Sequence, residues 1–182
     1  MTIDVPANFE ELISADEIQQ MVEKIAAQIE DSYPPGEEIV CVGVLKGAWI
    51  FHSDLVRALK REVRIDFIRA SSYGKGTQSS GVIQILKDIE TDIEGKHVLL
   101  VEEIVDSGRT LSFIKSRLEQ SKPKSVKIAA LLDKKERREV ECDPEFVGRE
   151  VPNHFVVGYG LDWAERYRCL GSIFIVKDEV LH

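Results

Sequence analysis

The sequence is poor in cysteine: Cys41, Cys142 and Cys169 stand far apart with no C-x-x-C pair. That excludes a disulfide-stapled scaffold and points to a reducing compartment, the cytoplasm. Nowhere does the chain approach the ~20 consecutive apolar residues that a membrane-spanning helix needs. Its first nine residues carry Asp4 but no basic cluster or apolar run of the kind found in a secretory signal. Internal repeats, Pro-rich linkers and long blocks of like charge are also missing. Basic residues are outnumbered, 24 against 32 acidic, for a formal charge of −8. Such a surface has no general attraction for nucleic acid or an anionic membrane, so a bound polyanion has to meet a local positive site. The histidines, His52, His97, His154 and His182, form no H-x-x-x-H or H-E-x-x-H spacing, which argues against zinc. Neither a G-x-S-x-G elbow nor a cysteine signature offers a covalent hydrolase its nucleophile.

What is present is a soluble, globular composition, 43% hydrophobic and 31% charged over 182 residues, long enough for one domain that buries roughly 70% of its unfolded surface. Ser14 followed by Glu17 is a capping-box pattern, and Ile18, Met21, Val22, Ile25 and Ile29 then recur at helical spacing. Tyr33-Pro34-Pro35-Gly36 stops that helix. Residues 39–45 (IVCVGVL) read as a buried strand, 49–60 as a helix, and 63–68 and 82–86 as alternating strands around a long Gly/Ser/Thr-rich loop at 71–81. Buried strands follow at 97–101 and 126–132, with a helix after Gly108 between them, and short strands are expected at 155–157 and 173–176. Apolar strands alternating with amphipathic helices predict an α/β fold: a mainly parallel twisted sheet with helices on both faces. Ligands of such sheets sit at the carboxyl ends of the strands, beside a switch in strand order.

The segment 98–111, VLLVEEIVDSGRTL, is the most informative. A buried strand delivers Glu102, Glu103 and Asp106 to the carboxyl edge, and Ser107-Gly108-Arg109-Thr110 turns tightly into a helix. Successive N–H groups and the Ser107 and Thr110 hydroxyls then face an anion at the positive end of a helix dipole. A P-loop would need G-x-x-x-x-G-K-[ST], which is not here. Three acids beside a monophosphate site point to a sugar phosphate whose hydroxyls they accept, with a divalent metal in attendance. Gly74-Lys75-Gly76 imitates the start of a dinucleotide motif, but Ser79 stands at the third glycine position and no helix signal follows, so that reading is discarded.

Residues 98–111 resemble the phosphoribosyl pyrophosphate signature of the type I phosphoribosyltransferases. Leu45-Lys46-Gly47-Ala48, Ser72-Tyr73-Gly74, Leu131-Leu132-Asp133-Lys134 and residues 155–162 (FVVGYGLD) resemble, in that order, segments of the bacterial hypoxanthine phosphoribosyltransferases. The likeness runs from about residue 39 to 176. It implies the type I fold in a single domain of residues 1–182, with a small hood over the purine made by the N-terminal segment and about 134–182. The implied activity joins a 6-oxopurine (hypoxanthine or guanine) through N9 to phosphoribosyl pyrophosphate, in purine salvage, by a homodimer or homotetramer that binds neither nucleic acid nor membrane.

The resemblance also implies roles. Asp106 is the general base or proton holder at purine N7. Residues 107–110, Ser107, Gly108, Arg109 and Thr110, grip the 5′-phosphate, and Glu102 and Glu103 hold the ribose hydroxyls and a magnesium ion, with Asp162 a second magnesium ligand. Lys46 and Gly47, in a loop where the family often has a non-proline cis peptide, and Arg168 bind pyrophosphate. Lys134 donates to the purine O6, Phe155 stacks on the ring, and Val156 and Asp162 meet the base edge. Ser72 and Tyr73 belong to a loop that closes over the substrates. Because Lys134 only donates, adenine, which offers an amino group there, is rejected. Lys134-Lys135-Glu136-Arg137-Arg138 could touch a nucleic acid, but in a chain of charge −8 it reads as a solvated turn with Lys134 facing the site. The chain departs from the family pattern at Glu103, usually aspartate, where one methylene moves the carboxylate by about an ångström. Ala48, Trp163 and Leu170-Gly171-Ser172 are further departures. The rival readings are a phosphoribosyltransferase-fold regulator that binds nucleotide and controls nucleic acid, and a transferase for another base. The net charge and the presence of Asp106 weigh against the first, Lys134 and Phe155 against the second.

Overall fold

The chain is described by a computed structural model covering residues 4–73 and 82–177. Its first long helix, α1 (Ala15–Ser32), starts where the sequence predicts. The Ser14 Oγ accepts from the Glu17 N–H at 3.3 Å while the Glu17 carboxylate accepts from the Ser14 N–H at 2.9 Å, a reciprocal cap worth about 1 kcal/mol. Ile18, Met21, Val22, Ile25 and Ile29 form its buried stripe.

The main sheet is built from β2 (Ile39–Val44), β3 (Arg64–Tyr73), β4 (Val82–Lys87), β5 (His97–Val105), β6 (Ser125–Asp133) and β7 (Phe146–Glu150), in the order β4-β3-β2-β5-β6-β7. All neighbours are parallel except β3 and β4. Alternate residues face two cores, as a doubly covered sheet requires. Ile39, Cys41, Leu99, Val101 and Leu131 pack under α1 and α2 (Trp49–Ala58). Val40, Val42, Val98, Leu100 and Ile128 pack under α3 (Arg109–Glu119). The chain enters at β2, adds β3 on one side and later β5 on the other, so the strand order switches between β2 and β5.

A second sheet, β1-β9-β8, joins β1 (Phe9–Ile13) to β9 (Ile173–Val176) and β8 (Val156–Val157), all antiparallel. It joins the two terminal segments in a small second sheet, which residues 146–150 do not enter: β7 extends the main sheet instead. Neither β1 nor β7 is foreseen by the sequence pattern, because both are edge strands with one fully buried residue each, Ile13 and Phe146. Strand β3 also runs to Tyr73, so 71–73 are strand where a loop is expected. Its partner β4 supplies the missing hydrogen bonds across a bulge at Arg69/Ala70. The expected closing loop at 74–81 lies outside the described residues, as do the side chains of Ser72 and Tyr73.

Candidate active site

β5 runs buried from His97 to Val101, then carries Glu102 and Glu103 to the sheet edge and ends at Val105. Asp106 and Ser107 lead into Gly108, which precedes α3 with φ +81°, a left-handed conformation. A Cβ there would come within 2.9 Å of the Arg138 and Cys142 side chains, so glycine is required by both torsion and space. No side chain caps α3. Among the described residues, no hydrogen bond occupies the N–H groups of Ser107, Gly108, Thr110 or Leu111, and the Arg109 N–H only reaches the Ser107 Oγ at 3.4 Å. Four free amides at the positive end of a helix make an anion nest. They open into a cleft lined by residues 44–47, Ala70, residues 102–108, Thr110 and Leu111. Its walls are the carboxyl ends of β2 and β5, at the switch in strand order, where such sheets bind ligands.

Asp106 projects into this cleft about half exposed, and its Oδ1 accepts from Arg137 Nε at 3.0 Å. Its carbonyl accepts from Arg138 at 2.7 Å, and Arg138 also pairs with the fully buried Asp133. The Glu139 N–H donates to the Ser107 carbonyl at 3.0 Å, and the Lys134 N–H to the Val105 carbonyl at 2.9 Å. The segment after β6 is therefore stitched to the anion nest. The expected solvated turn is present, with Lys135, Glu136 and Arg137 exposed, and it also braces the nest: Arg137 and Arg138 both hydrogen-bond Asp106 because the short turn Lys135–Arg137 folds back on it. Lys134 is buried, and its Nζ donates to the His154 carbonyl at 2.7 Å. Burial lowers its pKa from the ordinary lysine value, with the nearby Asp106 charge opposing the shift.

Glu102 and Glu103 lie side by side. Glu102 accepts the Glu103 N–H at 3.0 Å, and burial raises both carboxyls above the ordinary range, Glu102 further because the Glu103 charge adds to it. Opposite them is the loop after β2, with a cis peptide between Leu45 and Lys46. Gly47 has no room for a side chain: a Cβ would sit 1.7 Å from Glu103 Oε1. Ala48, where the family more often has glycine, takes an ordinary right-handed conformation at φ −71°, so glycine's freedom is not needed there.

A second lobe of the cleft shares residues 45–47, Ala70 and Glu103 and adds Arg69, Ser71, Asp162, Glu165 and Arg168. Arg168 pairs with Asp162 at 2.8 Å and Glu165 at 3.3 Å and donates to the Gly160 carbonyl at 2.8 Å; Lys46 Nζ pairs with Glu165 at 2.9 Å. The Glu102–Glu103 pair fits a hard divalent cation, because the Glu103 Oε2 is buried with no partner and a bound cation would favour the ionised form that burial alone disfavours. The expected three-carboxylate set is not assembled: among the described residues no three metal-type side chains converge, since Asp162 is drawn to Arg168 and to the Glu165 N–H.

The structure brings Lys46, Gly47, Glu102, Glu103, Asp106, Ser107, Gly108, Thr110, Asp162 and Arg168 around one two-lobed cleft. Arg109 does not contribute its side chain, which points outward to Glu139 at 2.6 Å. Lys134, Phe155 and Val156 do not line the cleft. Lys134 stands beside it through Val105 and Asp106, and its contact with His154 leads to Phe155, 40% exposed, and to Val156 on the edge strand β8. Sequence reasoning missed Arg69, Arg137, Arg138 and Glu165. Only Arg69 carries a local signal, a basic residue just past the last parallel pairing of β3 with β2.

A phosphoribosyl transferase domain family model matches residues 10–163. A hypoxanthine-guanine phosphoribosyltransferase of Aquifex aeolicus (strain VF5) is 52% identical over 167 residues, spanning 92% of this chain and 94% of that protein. A crystal structure of a Staphylococcus aureus hypoxanthine phosphoribosyltransferase aligns with a TM-score of 0.90 at 42% identity, over 95% of this chain and 94% of its own. One from Trypanosoma cruzi, in complex with the product IMP, aligns at 0.88 with 38% identity, over 98% of this chain and all of its own. Sheet order, anion nest and relatedness along almost the whole length agree, and the chain belongs to the phosphoribosyltransferase family.

Proposed function

We propose that the chain transfers the 5-phosphoribosyl group of phosphoribosyl pyrophosphate to N9 of a 6-oxopurine, hypoxanthine and guanine, releasing pyrophosphate. The observation that carries this reading is the set of free amides at 107–111 with the Asp106 carboxylate beside them. A ribose 5-phosphate docked there puts C1′ between Asp106 on one side and Lys46 and Arg168 on the other. The N9–C1′ bond forms as the C1′–oxygen bond to pyrophosphate breaks, and the base proton leaves N7 for Asp106. Positive charge that develops on the sugar is stabilised by the Glu102 and Glu103 carboxylates. These two would also hold a magnesium ion, which when bound neutralises charge on the pyrophosphate leaving group. Lys134 offers its two remaining N–H donors to the purine O6, Phe155 presents an exposed ring for stacking, and the open edge of β8 leaves the Val156 backbone for the base rim. The relative solved with IMP bound supports a purine nucleotide as product.

The finer assignments are part of this proposal: cytoplasmic residence, consistent with three free cysteines, and a homodimer or homotetramer, consistent with Trp49 and Ile65 left about half exposed. No helix among the described residues is long and apolar enough to cross a membrane. The test is nucleotide formation from phosphoribosyl pyrophosphate and magnesium with hypoxanthine, guanine, xanthine, adenine and orotate in turn. Hypoxanthine and guanine are expected to react and adenine to lag by ~10⁴ or more, as a buried donor facing a donor requires. A chelator should abolish turnover. Equal use of adenine, or no reaction with any 6-oxopurine, contradicts the proposal.

A further inference from the structure

Two cations from separate elements converge on one side chain. Lys46 Nζ, in the loop after β2, and the Arg168 guanidinium reach the same Glu165 Oε2, at 2.9 and 3.3 Å. Glu165 is exposed, so nothing about core packing demands this arrangement. The backbone nevertheless holds it. Trp163 and Arg166 exchange both backbone hydrogen bonds, at 3.2 and 3.0 Å, around Ala164 and Glu165 with φ +50° and +64°, the mirror-image tight turn that ordinarily selects glycine or asparagine. The Glu165 N–H is fixed in addition by Asp162 Oδ2 at 2.8 Å. Non-glycine residues kept in that region are disfavoured by about 1–2 kcal/mol each and persist where the surroundings insist on them. Here the turn presents a carboxylate to the two cations assigned above to pyrophosphate.

We propose that Glu165 is an internal competitor for pyrophosphate: its carboxylate occupies Lys46 and Arg168 in the free protein and has to be displaced when the leaving group binds. The inference rests on the pyrophosphate assignment of Lys46 and Arg168 and adds an affinity-setting residue to it. Lys46 and Arg168 hold the Glu165 carboxyl below its ordinary pKa, so it stays charged throughout the neutral range. Exposed ion pairs are weak and exchange readily. The competition therefore lowers affinity for pyrophosphate by a small factor without blocking substrate.

The test uses inorganic pyrophosphate with magnesium as the probe, measured by calorimetry on the full chain. Glu165→Gln keeps the shape and removes the charge, and it is expected to tighten pyrophosphate about two- to five-fold. The Michaelis constant for phosphoribosyl pyrophosphate should fall by a similar factor, with that for the purine unchanged. Glu165→Ala should show the same gain. Lys46→Met should weaken pyrophosphate. Weaker binding in Lys46→Met together with no gain in either Glu165 variant overturns the competitor proposal alone. Unchanged binding in Lys46→Met overturns the pyrophosphate assignment and the competitor with it.

Discussion

Single residues in this chain are fixed by identifiable neighbours, and their substitution has readable consequences. Asp106 lines the cleft about half exposed, with one carboxylate oxygen engaged by Arg137. Asp106→Asn keeps the shape but cannot take a proton, so kcat should fall by about 10²–10⁴. Phosphoribosyl pyrophosphate affinity should stay within a few-fold, because the anion nest is backbone; steady-state kinetics beside equilibrium binding check the split. Asp66 is a structural counterpart far from the chemistry. Burial raises its pKa, but N–H donors from Thr91 and Phe67 at 2.7 Å and Glu90 at 2.8 Å outweigh burial and hold it at about 2, below the usual 3.8. Because the folded-state value is the lower one, its contribution is complete above about pH 4 and disappears as pH falls through about 2. Asp66→Asn should lose about 2 kcal/mol at pH 7 in urea unfolding, and the gap to the unmodified protein should narrow below about pH 4 and close only below about pH 2.

At the scale of elements, the site is one strand, one turn and one helix, braced by the segment that follows β6. Arg138 is the brace: it donates to the Asp106 carbonyl and neutralises Asp133, which is fully buried. Arg138→Ala leaves that carboxylate uncompensated and should cost about 3 kcal/mol or more in denaturant unfolding, with a parallel loss of activity. None of this was visible in the local pattern. The strands β2, β5 and β6 were legible because each carries a mainly apolar run buried on both faces, and α1 because its cap and stripe are both local. The turn from Asp106 to Thr110 was legible for the same reason, since residue type and order within five positions dictate it. By contrast β1 and β7 bury one side chain each fully, and the pairs Arg137–Asp106 and Lys46–Glu165 join residues 31 and 119 positions apart, beyond any periodicity. The outward aim of Arg109 is set by Glu139, again a distant partner.

Across the whole molecule, two sheets meet over a switch in strand order. The segment after β8 presses directly on the loop after β2 and on α2: a Cβ on Gly160 would lie 2.1 Å from the Gly47 carbonyl, and the Tyr159 hydroxyl donates to Asp54 on α2 at 2.7 Å. These contacts bring Asp162 and Arg168 opposite Glu103 and complete the cleft that the main sheet opens. In a chain of net charge −8, the cleft thus brings together backbone amides, Lys46, Arg69 and Arg168. The most direct measurement is a crystal structure with inosine monophosphate bound. Phosphate oxygens are expected within about 2.7–3.2 Å of the amides at 107–111, with purine N7 against Asp106. A phosphate seated anywhere else, or a purine turned away from Asp106, contradicts the proposed function.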